Sequence, residues 1–221
     1  MMQEQSSHIS NFELETFVDF LLTGERQKSI DYINSHWQYN PDFVKIYEEI
    51  IKKSLYRIGE LWELNKISVA SEHLATSIAD SLLNHVYENV PSKNSIGKKI
   101  IIANTENEVH HVGIKMVADV FESYGWETFF HTGDVSVNDL IAFIKSKDPN
   151  LLALSLSIRT NLPSFKKSLL QIREAFSELS IIIGGQAFSK GSNDFLKNIQ
   201  NLIYIPDLYA LNQFIKIQMN A

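Results

Sequence analysis

The chain of 221 residues is 44% hydrophobic and 21% charged, an ordinary globular composition that allows one large or two small domains. It has no cysteine, which excludes disulfides, zinc–thiolate and iron–sulfur sites and a cysteine nucleophile; any metal is held by His, Asp or Glu or arrives inside a cofactor. The formal net charge of −6 falls in residues 1–97 while residues 98–221 balance, so neither half offers the basic face that direct nucleic-acid binding needs.

The opening MMQEQSSHIS lacks the basic-then-apolar pattern of a signal peptide, and no apolar run approaches the ~18–20 residues of a membrane span. A cytoplasmic protein without membrane contact is the expectation. Ser10 and Glu13 form a capping box ahead of the apolar positions Phe12, Phe17, Phe20 and Leu21, and Gly24 closes this first helix. A second helix covers Glu25 to His36. Asn40-Pro41 reads as an N-cap with proline at the first helical position. A long third helix follows, with Phe43, Ile46, Tyr47, Ile50, Ile51, Leu55, Ile58 and Leu61 on one stripe. Ser68 caps a fourth helix reaching about Glu88. Short joints between four helices predict a bundle over residues 1–90.

Residues 91–98 lie in a polar, Pro- and Gly-containing linker. From 99 to 221 short apolar runs alternate with amphipathic segments. The runs Ile100–Ala103, Thr128–Phe130, Leu151–Leu156, Ile181–Ile183 and Leu202–Ile205 predict strands. Helices are predicted near 113–124, 136–147, 162–178, 190–199 and 207–218. Five such units predict an α/β domain with a five-stranded, doubly wound parallel sheet.

The stretch ENEVHHVGIK, Glu106 to Lys115, falls between the first of these strands and its helix. Open α/β sheets bind ligands at the carboxyl ends of the strands. The loop is no nucleotide cradle, because it lacks both glycine-rich phosphate signatures. It offers Glu108-x-His110-x-x-Gly113: an imidazole able to reach a metal, a carboxylate that can hold its other nitrogen, and a glycine that permits close approach. Ser155-x-Ser157 ends the third strand and Gly184-Gly185 ends the fourth. Taken singly, a loop histidine, a strand-end serine and a turn glycine pair are each routine; their joint placement at strand carboxyl ends carries the signal.

This pattern resembles the cobalamin-binding domain of methionine synthase, corrinoid proteins and the cobalamin mutases, with its D-x-H-x-x-G, S-x-L and G-G motifs. The resemblance implies a Rossmann-like fold in which His110 is the lower axial ligand of cobalt, Glu108 its partner and Gly113 a neighbour of the nucleotide tail. Ser155, Gly184 and Gly185 would line the tail slot. Glu108 stands where the family has aspartate, and Ser157 where it has leucine, which makes the slot more polar. These departures leave open a domain that binds cobalamin poorly. His111 has no implied role and reads as a surface residue.

In the resembling proteins a helical bundle precedes this domain and caps the upper face of the corrin. The spacing W-x9-E-H of Trp62, Glu72 and His73 is similar to that of light-sensing cobalamin proteins, where these residues surround an adenosyl group. The resemblance implies an adenosylcobalamin-dependent photoreceptor: a regulator of signalling or transcription rather than an enzyme. It would lack the MerR-type DNA-binding domain and act through homo-oligomerisation or a protein partner. The other reading is a corrinoid methyl carrier of a methyltransferase system, using methylcobalamin. No substrate barrel accompanies the domain, which disfavours a mutase.

Overall fold

The computed structural model describes residues 9–39, 42–90, 93–106, 108, 110–131, 135–189 and 194–220. The sequence readings for residues 1–8 and for the Asn40-Pro41 cap lie outside them. The chain forms two compact units, Met1–Val90 and Pro91–Ala221.

The first unit is helical: α1 (Asn11–Leu22), α2 (Arg26–Tyr39), α3 (Phe43–Lys45), a π-helical segment (Ile46–Lys52), α4 (Lys53–Glu63) and α5 (Val69–Tyr87). The capping box opens α1, where the Glu13 carboxylate accepts from the Ser10 amide and the Ser10 hydroxyl accepts from the Glu13 amide. Phe17 and Leu21 are buried, whereas Phe12 is exposed rather than part of the apolar stripe. The first described turn of the third run is capped by Asp42, whose carboxylate accepts from the Val44 and Lys45 amides. Apolar spacing reads this run as one regular helix, and α3, the π segment and α4 do follow each other without a break. The i→i+5 register of the π segment leaves no mark on that spacing. It buries Ile46 to Ile51 in succession, Glu48 and Glu49 included, each carboxylate paired with a lysine one turn on. Ser68 caps α5 by accepting from the Ser71 amide.

The second unit contains the strands β1 (Lys99–Asn104), β2 (Glu127–His131), β3 (Leu151–Ser155), β4 (Ser180–Gly184) and β5 (Leu202–Tyr204). Its helices are α6 (Val112–Ser123), α7 (Val137–Lys147), α8 (Leu162–Ala175) and α9 (Leu208–Asn220). All pairings are parallel, in the order β2-β1-β3-β4-β5. Runs such as Ile100-Ile-Ile-Ala103 and Leu151-Leu-Ala-Leu154 are apolar on both pleat faces because helices cover both sides of the sheet. One face, with Ile101, Ala103, Leu152, Leu154, Ile181 and Ile183, packs under α7 and α8. By alternation Ile100, Ile102 and Ile182 face the other way, the side of α6 and α9.

Of the fourth crossover helix expected near 190–199, the described part contains a short 3₁₀ segment, Asp194–Asn198, in place of an α-helix. Another 3₁₀ segment, Gln186–Phe188, follows β4.

The chain direction reverses its order between β1 and β3, so the loops after these strands diverge around the switch point where open sheets bind ligands. Gly185 fixes the neighbouring loop. Its φ is +108°, and a Cβ there would lie 2.2 Å from the Leu156 carbonyl oxygen. The Leu156 amide donates to the Gly184 carbonyl and the Leu156 carbonyl accepts from the Ala187 amide, both at 3.1 Å. The backbone leaving β3 therefore lies directly on the backbone leaving β4. At Gly113 a Cβ would meet nothing within 4 Å. Gly185→Ala is expected to destabilise the fold by about 2 kcal/mol or more, whereas Gly113→Ala stays within about 1 kcal/mol of the wild type or gains stability. Urea titrations followed by circular dichroism measure both; equal midpoints for the two variants would contradict the packing.

Candidate functional site

Glu108 is the organising residue at the carboxyl end of β1. It is fully buried, 0% exposed, in the loop between β1 and α6. One carboxylate oxygen, Oε2, accepts from the amides of Ser157 at 2.7 Å and Ile158 at 3.2 Å, across the switch point in the loop after β3. The other, Oε1, accepts from the His110 amide at 3.0 Å and lies 2.5 Å from His110 Nδ1. The extra methylene of glutamate over aspartate does not cost the contact with the ring.

Burial by itself pushes the Glu108 carboxyl up. The hydrogen bonds from the His110 ring and from the Ser157 and His110 amides outweigh it and hold the group below its ordinary value of 4.5. An ionised carboxylate can only accept hydrogen bonds, so the nitrogen facing it carries a proton. His110 is thereby set as the Nδ1–H tautomer, with the lone pair on Nε2, the nitrogen Glu108 does not engage. The His110 side chain is 48% exposed. A carboxylate held against one ring nitrogen raises the basicity of an imidazole as a metal ligand.

The structure brings Glu108, His110 and Ser157 into one hydrogen-bonded group. Ser157 takes part through its backbone N–H, a role that the side-chain motif does not announce. Ser155 lies opposite Asn104 of β1 and Gly184 of β4, so these three share one row across the sheet ends. Gly184 has room for little: an added Cβ would meet the Ile205 carbonyl oxygen at 3.0 Å. At Gly185 the Leu156 backbone fills the space that a Cβ would take. Gly113 is the second residue of α6, and His111 is the cap residue of that helix.

Trp62, Glu72 and His73 belong to the helical unit. Trp62, in the last turn of α4, is 45% exposed, unusual for so large an aromatic. Glu72 and His73 stand in the first turn of α5, beyond the short turn closed by Asn65 at φ 56°. Glu72 accepts from the Thr76 hydroxyl at 2.8 Å, and its other oxygen is 3.5 Å from His73 Nε2.

Two residues outside the motifs contribute to the loop. Asn104 donates from its side chain to two loop carbonyls, and Glu106 accepts from the Val137 amide at the start of α7. A polar residue ending a run of four apolar ones was the available signal for Asn104. Among the described residues no three His, Asp or Glu side chains converge as a site for a bare ion, and no helix is long and apolar enough to cross a membrane. A single oriented imidazole fits a metal that arrives inside a cofactor, and His110 is the residue that would hold it.

Comparison with known proteins gives the same direction. Residues 98–205 match the B12 binding domain family, and residues 13–87 match a second family with the same description, B12 binding domain. Dimethylamine corrinoid protein 3 of Methanosarcina acetivorans is 24% identical over 145 residues, 62% of this chain and 68% of that protein. The HTH-type transcriptional repressor CarH of Myxococcus xanthus is 24% identical over 146 residues, 65% of this chain and 48% of that protein. In fold, the monomethylamine corrinoid protein of Methanosarcina barkeri superposes with a TM-score of 0.71 at 15% identity, covering 92% of this chain and 97% of that one.

The lowered Glu108 carboxyl makes a pH prediction. A group whose folded pKa is depressed stabilises the fold above its ordinary value, and that contribution is lost as pH falls through the folded value. Glu108→Gln is therefore expected to cost about 2 kcal/mol at pH 7, because an amide cannot accept all four N–H donors. The gap to the wild type should close as pH drops below 4.5, where only the wild type loses the contribution. Denaturant midpoints across the acid range test this; a gap independent of pH would contradict it.

Proposed function

We propose that this chain, built from a helical and an α/β B12 binding domain, is a corrinoid carrier protein that holds cobalamin through His110. The observation that carries the reading is the Glu108 carboxylate, buried and bonded to both switch-point loops, which engages His110 Nδ1 and so supports Nε2 as the donor to cobalt. The bound corrinoid supplies the chemistry, a cobalt centre that can take up and release a methyl group. The chain supplies orientation: Glu108 fixes the tautomer and keeps the ring basic, Ser155 offers a hydroxyl beside the tail, and Gly113 leaves the start of α6 open. The partners are separate methyltransferase proteins, which deliver and remove the methyl group. Support comes from the corrinoid proteins of methylamine systems, similar in sequence and, over nearly the whole chain, in fold.

A second reading has its own observation. Trp62 is exposed, and Glu72 and His73 stand just beyond the same turn, the triplet by which the sequence resembles light-sensing adenosylcobalamin regulators. In that reading the three residues contact the adenosyl group, and illumination alters the oligomeric state. The motifs alone put this reading first; the likeness to corrinoid proteins reverses the order.

His110→Ala is expected to abolish the absorption spectrum of histidine-ligated, base-off cobalamin and to weaken binding by about tenfold or more. An unchanged spectrum would remove His110 from the metal. Dark binding of methyl- and adenosylcobalamin separates the two readings. The carrier binds both within a fewfold, and its size-exclusion profile is indifferent to light. A strong adenosyl preference that Trp62→Ala abolishes, with a light-dependent profile, would establish the sensor instead.

A further inference from the structure

Asn104, the last residue of β1, is 1% exposed, and its side chain is used on one side only. Nδ2 donates to the carbonyl oxygens of Glu108 at 3.2 Å and of His110 at 3.0 Å, bracketing position 109. Oδ1 is buried with no hydrogen-bond partner among the described residues. A buried carboxamide kept for stability alone would be expected to satisfy both halves. Here the acceptor half has no partner among the described residues, while the donor half grips the loop that carries His110. The orientation of the amide follows from those contacts, because a flip would set Oδ1 against two carbonyl oxygens.

We propose that Asn104 is a positioning residue for His110. Glu108 and Asn104 act on different coordinates of the same imidazole. Glu108 holds the ring through Nδ1 and so sets its rotation and tautomer. Asn104 ties the backbone before and after position 109 to the end of a central strand, and so sets where the ring is mounted. β1 is paired on both sides, with β2 and β3, which makes its end a rigid anchor. Without the carboxamide the Glu108 and His110 carbonyls lose a shared donor, and the His110 backbone loses a tether to the end of β1. The proposal rests on the reading of His110 as the axial ligand.

The test uses the full chain labelled with ¹⁵N-histidine and loaded with cob(II)alamin, read by electron paramagnetic resonance. A ¹⁵N nucleus from histidine splits the cobalt lines into doublets, whereas the ¹⁴N of the cofactor's own base gives triplets. The variants are Asn104→Asp, Asn104→Ser and, as a control at the adjacent buried hydroxyl, which has no partner among the described residues, Thr105→Val. Wild type and Thr105→Val are expected to show doublets. Both Asn104 variants should keep a folded sheet by circular dichroism, with a reduced doublet fraction and cobalamin affinity lowered about tenfold, the range for outer residues that orient a ligand. Wild-type doublet fractions in both Asn104 variants would overturn the proposal. Loss of the folded sheet in both would make Asn104 a stability residue and overturn it as well. Absence of doublets in the wild type would instead overturn the reading of His110, and this inference with it.

Discussion

A buried carboxylate with four N–H donors is the constraint on which the rest of the site depends. Placing an unpaired charge in a protein interior costs several kcal/mol, so Glu108 is tolerable only because every acceptor position is used. Two of its donors come from the loop after β3 and two from the loop after β1. The charge therefore joins the loops at the one place where the strand order makes them diverge. The same charge dictates the protonation of His110, and through it the position of the lone pair. Sheet order, loop closure and ligand chemistry are consequences of one another here.

On the proposed reading a single imidazole, His110, would hold the cofactor's metal, and the precision of the site goes into orienting that ring. Ser155 and Gly184 extend the row from Asn104 across the sheet ends, while Gly185 serves the backbone beneath. The helical unit contributes a different kind of feature, an exposed Trp62 next to a polar pair. The difference between a methyl carrier and a light sensor rests on what that feature touches.

The sheet was legible because buried parallel strands are written as short, almost continuous apolar runs, and the helices between them keep a 3.6-residue period. The site was legible in its side-chain chemistry: Glu108 and His110 are two residues apart, so a carboxylate–imidazole pair could be read directly. What escaped was carried by the backbone. Nothing in the letters Ser157-Ile158 says that their amides will bind Glu108. The role of Gly185 is likewise invisible until Leu156 is seen lying on it. The π segment hides because its sequence satisfies an ordinary helical stripe. Asn104 was readable only as an oddity, a polar residue where a fifth apolar neighbour would fit.

The central claim is that Glu108 fixes His110 as the Nδ1–H tautomer with its lone pair on Nε2, before any cofactor binds. Long-range ¹H–¹⁵N correlation spectra of the histidine side chains in the cofactor-free protein, at a pH where imidazoles are neutral, read this directly. The account predicts a pyrrole-type Nδ1 and a pyridine-type Nε2 for His110, and averaging of the two nitrogens in Glu108→Gln. A wild-type His110 in the Nε2–H form, or one already averaged between tautomers, would contradict it.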